Sequence, residues 1–433
     1  MPFKKLSYVE PLKLYAALRE YPMPFILHSA EKDSRKSRYT YVSAAPEFRV
    51  EVDERGMHVD SVKISRERNP FASLRKLMKD RVTGTGFAGG FVGYIAYDAV
   101  HNYVGGRVDE PSVFGYYPWV FIYDYARKEF GIFYLREPPF DPERIVSWAK
   151  DERMENDGCA SLKGTDADMD TFTDMVERGK EHILAGDVFQ VVLSREYRLR
   201  VDMSPLKIYE NLTRINPSPY TFLLEFQKAV VGASPETMAS VEGRRVRINP
   251  IAGTVSRGKT EAEDEELRRK LLGDEKERAE HVMLVDLARN DVRRVSKPGS
   301  VRLARFFDVL RYSHVQHIES EVIGELEDDR DSFDAMEAAF PAGTLTGAPK
   351  LRAMEIIEEL ERSRREIYGG AVGYFSATGD ADFAIAIRML EMEGKEAKVR
   401  AGAGIVADSV PAREYMETEH KMAAVLRALG VRE

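Results

Sequence analysis

Residues 370–406 read GAVGYFSATGDADFAIAIRMLEMEGKEAKVRAGAGIV and decide the fold. They hold three apolar runs, at 370–377, 384–392 and 398–406, and only short turns separate these runs. Strands joined by short turns pair antiparallel, because a parallel pair needs a crossover of about a dozen residues or more. The stretch therefore predicts an α+β fold, a sandwich with mostly antiparallel sheets.

The same mixture of strands and helices extends over the rest of the chain. Further strands are predicted at 87–97, 113–134, 188–193, 220–226, 230–241, 246–251 and 312–323. Apolar residues at helical spacing predict helices at 171–185, 261–272, 275–290, 332–339, 351–362 and 412–429. The segment 154–170 is rich in turn formers and is predicted as a linker between an N-terminal region, 1–153, and a larger C-terminal region, 171–433.

The composition excludes several classes of function. The chain has 433 residues, of which 64 are basic and 72 acidic, with a net charge of -8. Because both signs are mixed along the sequence, no basic face for nucleic acid is expected. The first residues lack the apolar core of a signal peptide and no apolar run is long enough to span a membrane, so neither export nor a membrane anchor is expected. The single cysteine, Cys159, excludes an internal disulfide and favours the reducing cytoplasm.

Three glycine-rich turns predict a small acidic substrate. They read PIAGTVSRG at 250–258, PAGTLTGAPK at 341–350 and AGAGIVADSVP at 401–411. Such turns let the backbone approach a ligand and present N–H groups to an anion.

Two pairs of glutamates predict a metal site. Glu280 lies one turn after Glu277 and shares a helix face with Leu284 and Leu287, where a carboxylate needs compensation. Glu277 alone has a second interpretation, a capping box with Asp274. A pair on the last helix, Glu414 and Glu417, can equally complement the helix dipole and bind Lys421. Together the four carboxylates form the oxygen-rich site that Mg²⁺ prefers.

The histidines do not predict a zinc site. His314 and His317 lie three apart in a predicted strand and so point to opposite faces. No cluster of Cys and His accompanies them, and one of the two can act as an acid or base near neutral pH.

A nucleotide-binding alternative arises from residues 253–260, GTVSRGKT, which match the P-loop pattern. The helix that follows begins with Glu-Ala-Glu-Asp-Glu-Glu, and its charges would repel a triphosphate. The alternative is therefore disfavoured.

The motifs resemble those of the chorismate-utilising enzymes, and among them the large subunits of anthranilate synthases. The resemblance extends over essentially the whole chain. It is carried, in order, by Gln190, Ser234-Pro235-Glu236, 250–254, 277–290, His317, 341–350, Tyr368-Gly369-Gly370, Ile387-Arg388, Gly402-Ala403-Gly404 and 414–417.

The resemblance implies a four-layer α/β/β/α sandwich that binds Mg²⁺ and chorismate between its sheets. It implies Glu280 and Glu417 as the closest metal ligands, with Glu277 and Glu414 nearby or acting through water. Substrate would be held by Gly253, Thr254, Tyr368, Arg388, Gly402, Ala403 and Gly404, with Arg388 on the enolpyruvyl carboxylate. No role follows for Lys350.

The implied reaction adds ammonia to the ring of chorismate and then releases pyruvate to give anthranilate. Glu236 is the candidate acid for the leaving hydroxyl, and His317 the candidate for proton transfer. Enzymes that make aminodeoxychorismate, the alternative within the family, often carry Lys where this chain has Ala252. Isochorismate and salicylate synthases place a Lys base at the position of Gln190. Both residues favour direct attack by ammonia.

The resemblance also implies partners. Cys159, in a predicted linker, cannot serve as a glutaminase nucleophile, so a separate glutamine amidotransferase subunit is expected, in a hetero-oligomer of the heterotetramer type.

The final implication is feedback inhibition by L-tryptophan. The segments 26–30, 38–40 and 216–221 resemble the family's regulatory site, with Ser29, Pro219, Tyr220 and Thr221 as contact residues. His28 stands where the family usually has Glu, and Thr221 where it often has Met. The ammonium of tryptophan is therefore expected to lose a carboxylate partner. A packing role for these segments is the alternative.

Overall fold

The computed structural model describes residues 3–29, 38–152, 158–311 and 315–431. Two 12-stranded sheets dominate it, and every strand pair in both is antiparallel. The predicted α+β class with two large antiparallel sheets is confirmed.

The strands are, in chain order, β1 (Phe3–Lys5), β2 (Phe25–His28), β3 (Tyr39–Ser43), β4 (Phe48–Asp53), β5 (Gly56–Val59), β6 (Val62–Ser65), β7 (Gly90–Ile95), β8 (Ser112–Tyr117), β9 (Trp119–Asp124), β10 (Glu129–Tyr134), β11 (Cys159–Thr165), β12 (Gln190–Asp202), β13 (Tyr220–Glu225), β14 (Ala229–Ser234), β15 (Thr237–Glu242), β16 (Arg245–Ile248), β17 (Ile251–Ser256), β18 (Arg302–Arg311), β19 (Val315–Glu325), β20 (Gly347–Ala348), β21 (Ala371–Ser376), β22 (Ala381–Ile385), β23 (Met389–Glu393) and β24 (Glu396–Ile405). The α-helices are α1 (Pro11–Leu18), α2 (Pro70–Leu77), α3 (His101–Val104), α4 (Pro142–Asp151), α5 (Met169–Leu184), α6 (Pro205–Ile215), α7 (Glu261–Gly273), α8 (Glu275–Arg293), α9 (Ser332–Ala339), α10 (Lys350–Leu360) and α11 (Pro411–Ala428).

The elements form four layers. The first sheet has the order β1-β10-β9-β3-β2-β13-β14-β23-β24-β12-β11, with β20 beside β12. The second has the order β17-β19-β16-β15-β22-β21-β7-β8-β4-β5-β6, with β18 beside β19. A core rich in aromatic rings fills the space between the sheets, and the outer helices cover the other faces with apolar cores of their own.

Two predicted strands are each two strands that lie in different sheets. The run 230–241 divides into β14 in the first sheet and β15 in the second, and Glu236 lies between them. The run 384–392 divides in the same way between β22 and β23, and Arg388 lies in the gap. Hydrophobic periodicity misses such a break, because both halves are apolar and buried. The two crossings carry candidate site residues from one sheet to the other.

The predicted linker 154–170 is only partly a connection. Residues 159–165 form β11, which pairs with β12 at an edge of the first sheet, and α5 begins at Met169. Both sheets also combine strands from 1–153 with strands from 171–433. Within the described residues, no helix is both long and apolar enough to cross a bilayer.

Candidate active site and a second cavity

The two sheet crossings bring Glu236 and Arg388 to one place. The backbone N–H of Ile385 donates to the carbonyl of Glu236 over 3.0 Å, so the crossings are hydrogen-bonded to each other. Arg388 has a left-handed backbone, with φ of 52°, and its Nη1 donates to the carbonyl of Lys421 over 2.9 Å. Burial lowers the pKa of Arg388, whereas Tyr368, Glu417 and Glu236 act to raise it. Arg388 therefore lies near Tyr368, Glu417 and Glu236.

The four predicted carboxylates repel one another between α8 and α11. Burial raises the pKa of Glu280, and the charge of Glu417 raises it further. Burial also raises the pKa of Glu277 and of Glu414, and neighbouring carboxylates add to both shifts. Such mutual repulsion is typical of a site that binds a cation. No group of three or more side chains in the described parts of the chain is arranged to hold a metal ion.

The two simpler interpretations of these glutamates, a helix cap with Asp274 and an ion pair with Lys421, are each partly correct. The Asp274 side chain accepts from the backbone N–H of Glu277 over 3.2 Å, so it caps α8. The Glu277 carboxylate does not complete a capping box. It lies beside Gly253, where an added Cβ would be 3.0 Å from Glu277 Oε2. Lys421 Nζ lies 2.5 Å from Glu417 Oε1 and donates to the Gly402 carbonyl over 2.9 Å.

Gly404 is in contact with Gln190 and lies close to Glu280. Gln190 Nε2 donates to Glu280 Oε1 over 3.3 Å, which links β12 to α8. A Cβ at Gly404 would lie 2.4 Å from Gln190 Nε2 and 3.8 Å from Glu280 Oε1. Only glycine leaves room for this arrangement. Ala403, in contrast, packs its methyl group into an apolar core, so only its backbone can serve a substrate.

His317 has a defined tautomer. Its Nδ1 lies 3.0 Å from the Gly253 carbonyl, which can only accept, so Nδ1 carries the proton and Nε2 the lone pair. Burial lowers the pKa of His317 to about 4, and the charge of Arg388 acts in the same direction. The ring is therefore neutral at physiological pH. Thr254 lies opposite His317 in the β17–β19 register, and His314 lies outside the described residues.

A cavity of about 340 Å³ opens beside Glu236. Leu284 and Leu287 of α8 form part of its apolar wall, and Thr344 also lines it. Thr344 Oγ1 is buried with no hydrogen-bond partner in the described structure. Sequence reasoning missed Thr344, although a hydroxyl inside the predicted anion-facing segment 341–350 was a usable signal.

Lys350 and Arg365 bind the segments that carry candidate site residues. Lys350 Nζ lies 2.8 Å from Asp291 Oδ2, and this ion pair ties the segment 341–350 to α8. Arg365 donates to the carbonyls of Leu345 over 2.6 Å and of Val192 over 2.8 Å, three residues before Tyr368. Arg365 was not predicted either, because its sequence context does not distinguish a buried structural arginine from an exposed one.

Tyr368 is buried, with 4% of its surface exposed. Burial raises the pKa of its hydroxyl to about 12, so the group keeps its proton and can donate to an anion.

The P-loop alternative fails on geometry. The matching residues lie in the antiparallel strand β17 and the turn that follows it. The backbone N–H groups of Gly258 and Lys259 donate to the side chains of Asp264 and Glu263, each over 2.6 Å. These groups cannot also bind phosphates.

A second cavity, of about 560 Å³, lies between the sheets. It is lined by all of the predicted tryptophan contacts, namely Ser29, Pro219, Tyr220 and Thr221, together with His28. Aromatic rings make up much of the remaining wall, from Tyr39, Tyr41, Phe222 and Tyr374. One carboxylate, Asp382 of β22, also lines it.

His28 is hydrogen-bonded inside this cavity. Its Nδ1 is paired with Thr40 Oγ1, and its carbonyl accepts from Thr221 Oγ1 over 2.8 Å. Burial lowers the pKa of His28 to about 4, so the ring carries no charge at neutral pH. His28 therefore neither attracts nor repels an ammonium group as an ion.

Known proteins are similar to this chain over its whole length. A family model described as chorismate binding enzyme matches residues 22–427. Anthranilate synthase component 1 of Thermococcus kodakarensis is 68% identical over 435 residues, which cover 100% of both chains. The protein of the same name from Archaeoglobus fulgidus is 53% identical and covers 99% of this chain and 100% of its own. The crystal structure of anthranilate synthase component I from Streptococcus pneumoniae superposes with a TM-score of 0.79 at 33% identity, covering 91% of this chain and 93% of the other.

Proposed function

Because the chain belongs to the family of chorismate-binding enzymes, we propose that it is the large subunit of an anthranilate synthase. It is a lyase-type enzyme that converts chorismate to anthranilate, and it works with a partner component. One observation carries the proposal. Arg388 lies close enough to Tyr368, Glu236 and Glu417 of α11 for these groups to shift its pKa, and Glu417 in turn shifts the pKa of Glu280 of α8. With this assignment, the reaction is the first step of tryptophan biosynthesis. The proposed location of the enzyme is the cytoplasm.

The donor set fits Mg²⁺. Carboxylates whose pKa values rise through burial and mutual repulsion gain from a hard divalent cation. Mg²⁺ needs only one or two direct carboxylate ligands, since water and substrate complete its shell. Glu280 and Glu417 are the proposed ligands, with Glu277 and Glu414 behind them. Bound Mg²⁺ would supply charge neutralisation for the ring carboxylate of chorismate.

The substrate contacts follow from the remaining groups. Arg388 pairs with the enolpyruvyl carboxylate, and Tyr368 donates its hydroxyl to an anionic oxygen. The backbone of Gly253, Thr254 and 402–404 supplies the further proposed contacts to the substrate. Glycine lets Glu277 approach closely at Gly253 and Gln190 at Gly404.

Two residues move protons in this proposal. Glu236 is 8% exposed and lines the cavity, and it gives a proton to the ring hydroxyl as ammonia adds and water leaves. The proton that the new ring ammonium loses on becoming an amine restores the acid form of Glu236. His317 accepts the ring proton at Nε2 when the aminated intermediate becomes aromatic, because its Nδ1 is held by Gly253. The released enolpyruvate takes up a proton to become pyruvate.

Ammonia is the nitrogen donor. Ala252 has no nucleophilic group, which argues against an aminodeoxychorismate synthase that attacks through lysine. Gln190 is a neutral amide bound to Glu280, so it does not activate water as a lysine base would. The single cysteine of the sequence, Cys159, is exposed on the edge strand β11. A glutamine amidotransferase subunit therefore supplies the ammonia, in a heterotetramer.

One assay tests these points together. The isolated chain should produce fluorescent anthranilate from chorismate and an ammonium salt at raised pH when Mg²⁺ is present. Glutamine should replace ammonium only after an amidotransferase subunit is added. Aminodeoxychorismate as the product would reject the assignment, and glutamine-dependent turnover by the chain alone would reject the partner.

Feedback inhibition by L-tryptophan is the second part of the proposal. The aromatic cavity of about 560 Å³ supports it, since rings suit an indole and Ser29 and the Pro219 carbonyl offer polar contacts. Calorimetric titration of tryptophan into the chain, with the inhibition of turnover measured in parallel, tests it. No heat of binding together with full activity at millimolar tryptophan would reject it.

A further inference from the structure

Asp382 supplies a negative charge to the aromatic cavity that the sequence did not predict. Tryptophan carries an ammonium group, and His28, which lines the same cavity, is neutral. Asp382 belongs to β22, so it faces the cavity from the sheet opposite to that of His28, Ser29 and Tyr220. A carboxylate in a cavity walled by rings fits the ammonium of an aromatic amino acid.

The same carboxylate is connected to the active site through one hydroxyl. Tyr220 Oη donates to Asp382 Oδ1 over 2.9 Å and is paired with Thr237 Oγ1 over 2.9 Å. Thr237 directly follows Glu236, the candidate acid, and it lies at the start of β15. The Tyr220 hydroxyl thus joins the wall of the cavity to the sheet crossing that carries Glu236.

A second connection runs along β22. The strand ends at Ile385, whose N–H donates to the Glu236 carbonyl over 3.0 Å, and Arg388 follows three residues later. A displacement of β22 at Asp382 therefore reaches both Glu236 and Arg388 through covalent and hydrogen-bonded neighbours.

We propose that Asp382 binds the ammonium group of the inhibitory aromatic amino acid, and that the Tyr220 hydroxyl, shared by Asp382 and Thr237, transmits this binding to Glu236. This inference rests on the proposed feedback function. We call Asp382, which binds the ammonium group, the anchor, and we call the hydrogen-bonded connection through Tyr220 and Thr237 to Glu236 the route. When the ammonium binds Asp382, it competes with the Tyr220 hydroxyl for the carboxylate. The hydroxyl then shifts its hydrogen bond towards Thr237, and the crossing that holds Glu236 moves with it.

Binding experiments on the wild-type chain test the anchor without any mutation. Tryptamine keeps the ammonium and the indole but lacks the carboxylate, whereas indole-3-propionate keeps the carboxylate and lacks the ammonium. We expect indole-3-propionate to bind at least about tenfold more weakly than tryptophan, because a charge-assisted hydrogen bond is lost. Equal affinities for tryptophan and indole-3-propionate would overturn the role of Asp382.

The variant Asp382→Asn sharpens this test, since it removes the charge and keeps the shape. We expect it to weaken the binding of tryptophan and tryptamine about tenfold or more, and to leave that of indole-3-propionate unchanged. If tryptophan binds Asp382→Asn as tightly as wild type, the anchor is wrong while feedback stands. If wild type itself binds no tryptophan, the feedback proposal is wrong, so the two failures are distinguishable.

The route is tested by Tyr220→Phe, with Tyr374→Phe as the matched control from the same cavity. Each variant is saturated with tryptophan, and its residual rate is expressed relative to its own uninhibited rate. We expect Tyr220→Phe to keep at least about half of its rate under saturation, whereas wild type and Tyr374→Phe are inhibited to the same, larger extent. Equal inhibition of Tyr220→Phe and wild type would overturn the route.

Discussion

The carboxylate site and the aromatic cavity differ in how their polar groups are satisfied. Between α8 and α11, burial and mutual repulsion raise the pKa values of Glu277, Glu280 and Glu414. In the aromatic cavity, Tyr220 donates to Asp382, Thr221 donates to the His28 carbonyl, and His28 is paired with Thr40. One region carries an excess of negative charge, while the other pairs its polar atoms internally.

This difference has a thermodynamic consequence. The carboxylate site is destabilised by its own charges, so a cation should stabilise the folded chain as well as serve the reaction. The aromatic cavity is stable without a ligand, and a ligand there must compete with hydrogen bonds that already exist. Mg²⁺ should therefore raise the thermal stability by relieving the repulsion, whereas a ligand in the aromatic cavity stabilises the chain only by its net affinity after existing hydrogen bonds are displaced.

The largest expected effect comes from Glu280→Gln, which removes charge and keeps volume. Turnover should fall by at least about 100-fold at millimolar Mg²⁺, because even groups that only support a metal ligand are worth about 10–100-fold. Without Mg²⁺ the variant should melt no lower than wild type, since a repelling charge is gone. Addition of Mg²⁺ should raise the melting temperature of wild type but not of the variant.

The control for this change is Glu275→Gln, an exposed residue in the first turn of the same helix. It should keep its activity and its response to Mg²⁺. A Glu280→Gln enzyme with activity within a few-fold of wild type would remove Glu280 from the proposed metal site.

The second expected effect is that of Gly404→Ala. The added Cβ would lie 2.4 Å from Gln190 Nε2, so the Gln190 side chain must move and its hydrogen bond to Glu280 breaks. We expect a loss of activity of about 10–100-fold, the range for groups that orient a metal ligand. In a double-mutant cycle, Gly404→Ala should cost much less when Gln190 is already Ala. Additive losses would show that the two residues do not act together.

The sequence itself predicted more of the carboxylate site than of the aromatic cavity. The carboxylates at 277, 280, 414 and 417 follow from helical spacing, because side chains one turn apart share a face. The cavity residues at 29 and 219–221 came only from the resemblance to a family, since no periodicity brings distant strands together. Asp382 was missed because residues 378–383 were predicted as a turn between two strands, whereas β22 already begins at Ala381.

The helices that were predicted, α5 and α7 to α11, lie close to their predicted bounds, and α9 matches at both ends. The helices α1 to α4 and α6 were not predicted. The strands were predicted less well where chain neighbours enter different sheets, as between Ser234 and Thr237. Pairing in these sheets joins strands that are far apart in sequence, such as β13 with β2. No local pattern encodes such pairing, and the site depends on it.

A third, smaller effect belongs to the cavity. Ser29→Ala should weaken tryptophan binding by about 2–13-fold, the equivalent of one hydrogen bond of about 0.5–1.5 kcal/mol. Uninhibited turnover should stay unchanged, because Ser29 lies in the other region. Ser7→Ala, on the exposed N-terminal surface, is the control. Calorimetry measures both affinities, and an unaltered affinity in Ser29→Ala would take this serine out of the binding site.

The smallest expected effect is a pH dependence of stability that each region contributes through a buried histidine. Burial lowers the pKa of both His28 and His317 to about 4, from an ordinary value of 6.5. As the pH falls below about 6.5, the unfolded chain takes up a proton at each position before the folded chain does, so each histidine lowers stability as the pH decreases towards 4. Between pH 7 and pH 5.5 this amounts to about 1 kcal/mol per histidine, or about 1 °C in the melting temperature of a chain of this size.

His28→Gln isolates the contribution of the cavity, because glutamine can still pair with Thr40 but does not titrate in this range. The decrease in melting temperature between pH 7 and pH 5.5 should be smaller in His28→Gln than in wild type by about 1 °C. Differential scanning calorimetry at both pH values, without Mg²⁺, measures the difference while the carboxylate site is the same in both proteins. An identical decrease in the two proteins would mean that His28 is accessible to protons in the folded chain, and the cavity would then be open to water rather than closed by its rings.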